Sequence, residues 1–195
     1  MKKSSLILGL LLSFNLHAGS VDYVNTFIDK IILTAKEKGI SNAAKEEKCI
    51  ALSDEYVDFE WNAKMAIGRH FKSMNELQQK EYLSLYRKLL INKWLPKIYN
   101  VSSLVNIKIN KNVDQINETD EMIKGKFFFK NEKGKEDNFT IDIRVRLVDG
   151  RYKVLNILVE NVDLAMSYRS DFDATITKSG IECFLSALSE KVKNK

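Results

Sequence analysis

Apolar positions along the chain change their period twice. From Val21 the residues Val21, Val24, Phe27, Ile28 and Ile31 recur at the spacing of one helix face, and Gly39 supplies a stop. The stretch from Tyr56 to Phe71, rich in Ala and Met, continues as helix. Ser73 followed by Glu76 reads as a capping box. It opens the longest helix, whose face is Leu77, Tyr82, Leu85, Tyr86, Leu89 and Leu90. Pro96 removes a backbone donor and crowds the preceding turn, so the helix is expected to break near Trp94.

From Leu104 the period becomes that of strands. Leu104–Ile109, Met122–Lys130, Asn138–Val148 and Arg151–Val162 predict four strands. In the third, Phe139, Ile141, Ile143, Val145 and Leu147 alternate with Thr140, Asp142, Arg144 and Arg146, which gives one buried and one wetted face. Asp149-Gly150 is a two-residue hairpin signal, and the polar stretch 131–138 joins the second and third strands. From Leu164 the helical period returns, is interrupted at Gly180, and resumes through Ile181, Phe184, Leu185 and Leu188. The expected class is α+β: N-terminal and C-terminal helices packed on one face of a curved, roughly four-stranded antiparallel sheet.

Residues 1–20 read as an export signal. Lys2 and Lys3 precede an apolar run from Leu6 to Leu16, and Ala18, Gly19 and Ser20 offer a small-residue cleavage site. The run is shorter than the roughly 20 residues that span a bilayer. The expected organisation is therefore a signal at 1–20 and a single domain at 21–195. Loss of the signal lowers the formal charge from +5 to +3, because it holds two lysines and no acid. That balance is mildly basic, attracted to anionic surfaces, and carries no nucleic-acid stripe. With 45% hydrophobic residues, 8 Gly and one Pro the chain is neither disordered nor collagen-like. Export permits a Cys49–Cys183 bridge, although two buried free thiols are the preferred reading.

Catalytic constellations are absent from the pattern. There is no GxSxG, HExxH, P-loop or CxxC, and His70 is the one histidine left after the signal, so no metal or cofactor site is expected. His70 reads as a surface or helix-end residue. Glu160 with Asp163, and Asp171 with Asp173, could pair as acids, but such spacing is common on solvated faces. Aromatic and aliphatic residues are plentiful instead. In the fourth strand both alternation sets are apolar: Tyr152, Val154 and Leu158 on one side, Leu155, Ile157 and Val159 on the other. Core packing accounts for most such residues, and a cavity between sheet and helices is the functional alternative.

Two stretches resemble a known family. From Tyr56 the chain reads YVDFEWNAKMAIGRHFKSMNELQQKEYLSLYRKLL, and from Tyr152 it reads YKVLNILVENVDLAMSYRSDFDATITKSGIECFLSALSEK. The Asp58-Phe59 start, Gly68 before an aromatic-Lys-Ser, Tyr168-Arg169-Ser170 with Phe172, and Gly180-Ile181 before the last helix are similar to the toluene-tolerance family, the periplasmic phospholipid-binding component of the Mla (maintenance of lipid asymmetry) pathway. The likeness covers roughly residues 22–192 and is weakest through 100–135. Two departures stand out: Asn156 replaces the usual Asp, and Asn161-Val162-Asp163 replaces Gly-Val-Ser, where Asn161 tolerates positive φ in place of Gly.

The resemblance implies a periplasmic shuttle that carries glycerophospholipid between outer and inner membranes and does no bond chemistry. Its implied partners are an inner-membrane MCE-domain ring with its ABC transporter and an outer-membrane lipoprotein–porin complex. Moving two acyl chains through water costs about 25 kcal/mol at ~0.8 kcal/mol per CH₂, so the carrier must replace the bilayer with apolar walls. The expected lining is Phe128, Ile141, Ile143, Val145 and Leu158 from the sheet, facing Phe59, Ile67, Phe71, Tyr86, Leu90, Tyr168 and Phe172 from the helices. Arg169 is assigned either to the head group at the mouth or to a tie between helix and sheet. The alternatives are a carrier of a sterol- or hopanoid-like ligand and a small α+β cone-fold enzyme.

Overall fold

The computed structural model describes residues 19–99, 104–131, 133–163 and 165–193. The expected export signal, apart from Gly19 and Ser20, lies outside them. The elements are α1 (Ser20–Lys36), α2 (Asn42–Tyr56), α3 (Phe59–Ile67), a 3₁₀ segment (Gly68–Ser73), α4 (Glu76–Tyr99), β1 (Leu104–Gln115), β2 (Asp120–Lys130), β3 (Glu136–Val148), β4 (Arg151–Val159), β5 (Val162–Asp163) and α5 (Met166–Lys193).

The sheet is curved, antiparallel and open, with strands in the order β1-β2-β3-β4-β5. It therefore has five strands rather than the expected four. The predicted fourth strand is split by a turn at Glu160 and Asn161, both at positive φ (50° and 63°), after which Val162 pairs back onto Val159. Asn161 takes the conformation expected of it. The Asp149-Gly150 hairpin forms as read, with φ of 48° and 75°.

The helices differ from the expectation at their ends. Tyr56 to Phe71 is broken, because Val57 leaves the helix to bridge Val154 of β4. The Asp58 carboxylate then accepts from Trp61 N at 2.8 Å and starts α3 afresh. The capping box of α4 is Asn75 with Gln78, not Ser73 with Glu76: Asn75 N donates to Gln78 Oε1 at 3.0 Å and Gln78 N to Asn75 Oδ1 at 2.9 Å. Ser73 Oγ donates instead to the His70 carbonyl. Helix α4 also runs through Pro96 to Tyr99. Pro96 lacks only the bond to the Asn92 carbonyl, a small loss this close to the helix end. α5 kinks at Gly180 (φ 81°, ψ 169°), where the interruption was expected.

The two faces of the sheet meet different helices, so the helices are not confined to one face. α1 lies on the apolar face, where Val24 packs with Ile123, Ile141, Ile143, Val145 and Val154. The opposite face of β3 carries Arg144 and Arg146, whose guanidinium groups sit 5.2 and 5.7 Å from the Trp61 ring of α3. An internal strand cannot wrap its side chains around an edge, so Trp61 marks a second covered face. The chain passes between the faces at the margin of β4, where Asp58 N donates to the Val154 carbonyl at 2.8 Å.

Two polar sites hold these layers in register. Asp120, fully buried, accepts from Arg144 Nε at 2.9 Å and Arg146 Nε at 2.6 Å. The Arg146 bond, with Arg144 and Thr119 beside it, holds its carboxyl well below the usual carboxylate range against the opposing pull of burial. Asn62, also buried, donates to the Leu155 carbonyl at 3.0 Å and to Asn156 Oδ1 at 3.2 Å, and accepts from the Tyr86 hydroxyl at 2.6 Å.

Replacing Asn62→Ala leaves the Tyr86 hydroxyl and the Leu155 carbonyl buried without partners, and should cost about 2–4 kcal/mol in urea unfolding. Asp120→Asn should cost about 3 kcal/mol at neutral pH, because two arginines lose a buried counter-ion. Asp120's folded pKa is depressed, so its contribution is present above the ordinary carboxylate range and lost as pH falls. The stability gap between wild type and Asp120→Asn should therefore narrow below about pH 4.

Candidate functional site

The sheet's apolar face is larger than the helix laid across it. Ile141, Ile143 and Val145 are buried there, while Ile109, Val113, Phe127, Phe139, Ile157 and Val159 on the same face remain only partly covered. The Phe127 and Phe139 rings stack at 5.2 Å. At the other end Tyr23, Phe27, Tyr56 and Tyr152 form an aromatic group in which Tyr23 lies 4.9 Å from Tyr56 and 6.1 Å from Tyr152. Burial, with Tyr56 and Glu55 alongside, pushes the Tyr23 phenol up to about 12. The half-covered strip is a surface on which apolar chains can lie without displacing a packed core.

Register decides which predicted residues reach it. Phe127 pairs with Phe139 and Phe128 with Asn138, so Phe128 faces the opposite way, where Lys108 lies over its ring. Leu158 pairs with Asp142 and also points away from Ile141 and Ile143. These two predicted lining residues are corrected: neither shares a face with Ile141, Ile143 and Val145. Phe128 falls in the other phase of β2, and for Leu158 the reason is a bulge in β4, where Val145 pairs with Val154 and Arg144 with Asn156, leaving Leu155 as an extra residue. Beyond it the phase flips, and Ile157 and Val159 take the apolar face.

The predicted helical residues gather elsewhere. Ile67, Tyr86, Tyr168 and Phe172 are buried in one cluster with Tyr82 and Phe184, and Phe71 and Leu90 pack against it. Phe59 lies at the start of α3 beneath the Arg87 guanidinium, 5.7 Å from its ring. The sheet set and the helical set thus belong to separate clusters rather than one lining. Tyr82 and Tyr86 phenols are pushed up by burial. Within the helical cluster the Tyr168 hydroxyl is buried, with no hydrogen-bond partner among the described residues.

The candidate acids have separate structural tasks. Glu160 accepts from the Thr140 hydroxyl at 3.0 Å, and Asp163 accepts from Met166 N at 2.8 Å as the cap of α5. Asp173 accepts from Arg69 at 3.1 Å and shares a 2.7 Å hydrogen bond with His70, which ties the 3₁₀ segment to α5. That bond is the main cause holding the Asp173 carboxyl below its usual range. Among the described residues no group of acids, histidines and cysteines has the arrangement of a metal site, and no helix is long and apolar enough to cross a membrane. Both cysteines are free; Cys49 is buried as expected, but Cys183 is exposed, on the outer side of α5. Burial pushes the Cys49 thiol up.

Among the described residues Arg169 has no hydrogen bond or ion pair to a strand of the sheet. Its guanidinium lies on Gly68, where a Cβ would come 2.9 Å from Nη2. The end of α3, the start of the 3₁₀ segment and α5 border a cleft of about 440 Å³ lined by Ile67, Arg69, Met166, Arg169, Ser170 and Asp173.

Comparison with protein families gives a match to the MlaC protein family over residues 22–190. The chain belongs to the MlaC family. No curated protein matches it. Among solved structures it is similar to the phospholipid-binding protein from Ralstonia solanacearum, determined in complex with a phospholipid. The two share 22% identity and a TM-score of 0.75, over 91% of this chain and 98% of that one. At that identity the likeness establishes the fold of this MlaC family member.

Gly68 (φ 60°, ψ −132°) holds a backbone conformation that L residues rarely adopt. Gly68→Ala should destabilise this family member by about 1–3 kcal/mol. The double variant with Arg169→Ala should not recover the loss in thermal melts, because the strain is in the backbone and the guanidinium end can move aside.

Proposed function

We propose that this protein binds a glycerophospholipid and carries it through the periplasm between inner and outer membranes, with no bond chemistry of its own. The observation that carries the reading is membership of the MlaC family, joined to a sheet whose apolar face exceeds its helical cover. The acyl chains rest on the half-covered strip of Phe127, Phe139, Ile157 and Val159, with Ile141, Ile143 and Val145 beneath. The helical cluster around Tyr86, Tyr168 and Phe172 acts as the frame. The Ralstonia solanacearum protein of the same fold, solved with a phospholipid, supports this choice of ligand. Delivery and pick-up occur at an inner-membrane MCE-domain ABC transporter complex and at an outer-membrane lipoprotein–porin complex. Handover requires docks of comparable affinity, since a carrier that binds far more tightly than its receivers cannot release. The apolar-ligand alternative is separated by the identity of what co-purifies.

Protein purified without detergent and extracted into organic solvent should yield phospholipid in mass spectrometry. Phe139→Ser should lower uptake of a fluorescent phospholipid from vesicles about tenfold, the loss expected for one aromatic contact. Phe128→Ser, on the opposite face, should leave uptake near wild type. A sterol or hopanoid in the extract, or no lipid in the extract and none taken up, would overturn the reading.

A further inference from the structure

The cleft beside Gly68 has a charge imbalance that the lipid-carrying strip does not explain. Asp173 stands one turn after Arg169 on α5, the usual position for an intrahelical ion pair. It is engaged instead by His70 at 2.7 Å and Arg69 at 3.1 Å. Among the described residues no carboxylate lies within ion-pair distance of Arg169, whose Nη1 has only a long contact of 3.8 Å to Met166 Sδ. A half-exposed guanidinium with no counter-ion among the described residues is free to receive an anion.

Its position is also built. Gly68 has no side chain, so the guanidinium plane lies against bare backbone, with Nη2, Cζ and Nε at 2.9, 3.1 and 3.1 Å from where a Cβ would stand. Packing on Gly68 holds one side of the guanidinium, which also lines the cleft. Its N–H fork matches two oxygens of a phosphate or carboxylate in a way a lysine ammonium does not. Arg69 and Ser170 line the same space, Ile67 and Met166 supply apolar walls, and the volume of about 440 Å³ admits a phosphate group with its substituents.

We infer that this cleft is a binding site for a phosphate oxyanion, with the Arg169 guanidinium as its principal donor and Arg69 and Ser170 beside it. The oxyanion comes either from the head group of the carried lipid, in which case the inference rests on the function proposed above, or from free phosphate, in which case it does not.

The test uses the full mature chain labelled with ¹⁵N. Inorganic phosphate is titrated in while the Arg169 Nε–Hε resonance is followed. In parallel, uptake from phosphatidylcholine vesicles is compared for a fluorescent phosphatidylglycerol and a diacylglycerol with the same chains. The phospholipid should be favoured about tenfold, the worth of a charge-assisted hydrogen bond in a half-exposed site. Arg169→Gln should bring that ratio near one, and Arg169→Lys, which keeps charge but loses the fork, should fall between them. Thermal melts check that both variants fold.

A saturable shift of the resonance with phosphate, without a change of ratio in Arg169→Gln, identifies free phosphate as the source. A changed ratio without a phosphate shift identifies the head group. Wild-type protein that loads neither lipid refutes the carrier reading, and the phosphate titration then decides the cleft alone. No phosphate shift, together with no change of ratio or no loading, overturns the oxyanion site.

Discussion

β4 carries one residue more than its partner can pair, and most of the architecture follows from where that residue goes. Leu155, fully buried, falls opposite the junction between Arg144 and Val145. Its carbonyl turns to the amide of Asn62, and the neighbouring Val154 carbonyl takes the amide of Asp58. A buried carbonyl without a donor is costly, so the bulge requires a helix with a polar side chain to be delivered to this spot. α3 answers with Asn62, and Asn62 in turn receives the Tyr86 hydroxyl of α4. Strand, short helix and long helix are thereby held at one point. Asn156 serves here as an acceptor, its Oδ1 taking the Asn62 amide.

The same bulge shapes the candidate binding surface. By reversing the phase of β4 it adds Ile157 and Val159 to a face already holding Phe127, Phe139 and Ile141. α1 covers only part of that face. The protein's own side chains do not fill this strip, and the partly covered remainder is apolar. Compensation comes from elsewhere: a dense aromatic helical cluster, the Asp120 ion pairs, and the Asn62 network. The packed helical cluster and the half-covered strip are different parts of the molecule.

Much of the fold was legible in the chain. Alternation in β3 placed Ile141, Ile143 and Val145 together, and the turn chemistry of Asp149-Gly150 and Asn161 gave both hairpins their geometry. The helical spacing from Tyr82 to Leu90 marked the packed face of α4, although Leu77 of the same series is exposed, and Gly180 marked the kink of α5. The candidate surface was less legible. Phe127, Phe128 and Phe129 form an unbroken aromatic run, so no alternation says which of them face inward. β4 has apolar residues in both phases, so a one-residue bulge leaves no trace in its pattern. Phe128 and Leu158 were misassigned for those two reasons.

Sequence alone determined the elements, their class and the family, because period, turn residues and motif order are local properties of the chain. Tertiary structure alone decided which apolar residues share a face and which acid takes which cation, and among the described residues it leaves Arg169 without a carboxylate partner. Those outcomes depend on register and on distances between segments up to about a hundred residues apart, such as Asn62 to Leu155 and His70 to Asp173. Local pattern carries no information about a shift of one residue in pairing, and one such shift moves Leu158 off the face that holds Ile157 and Val159.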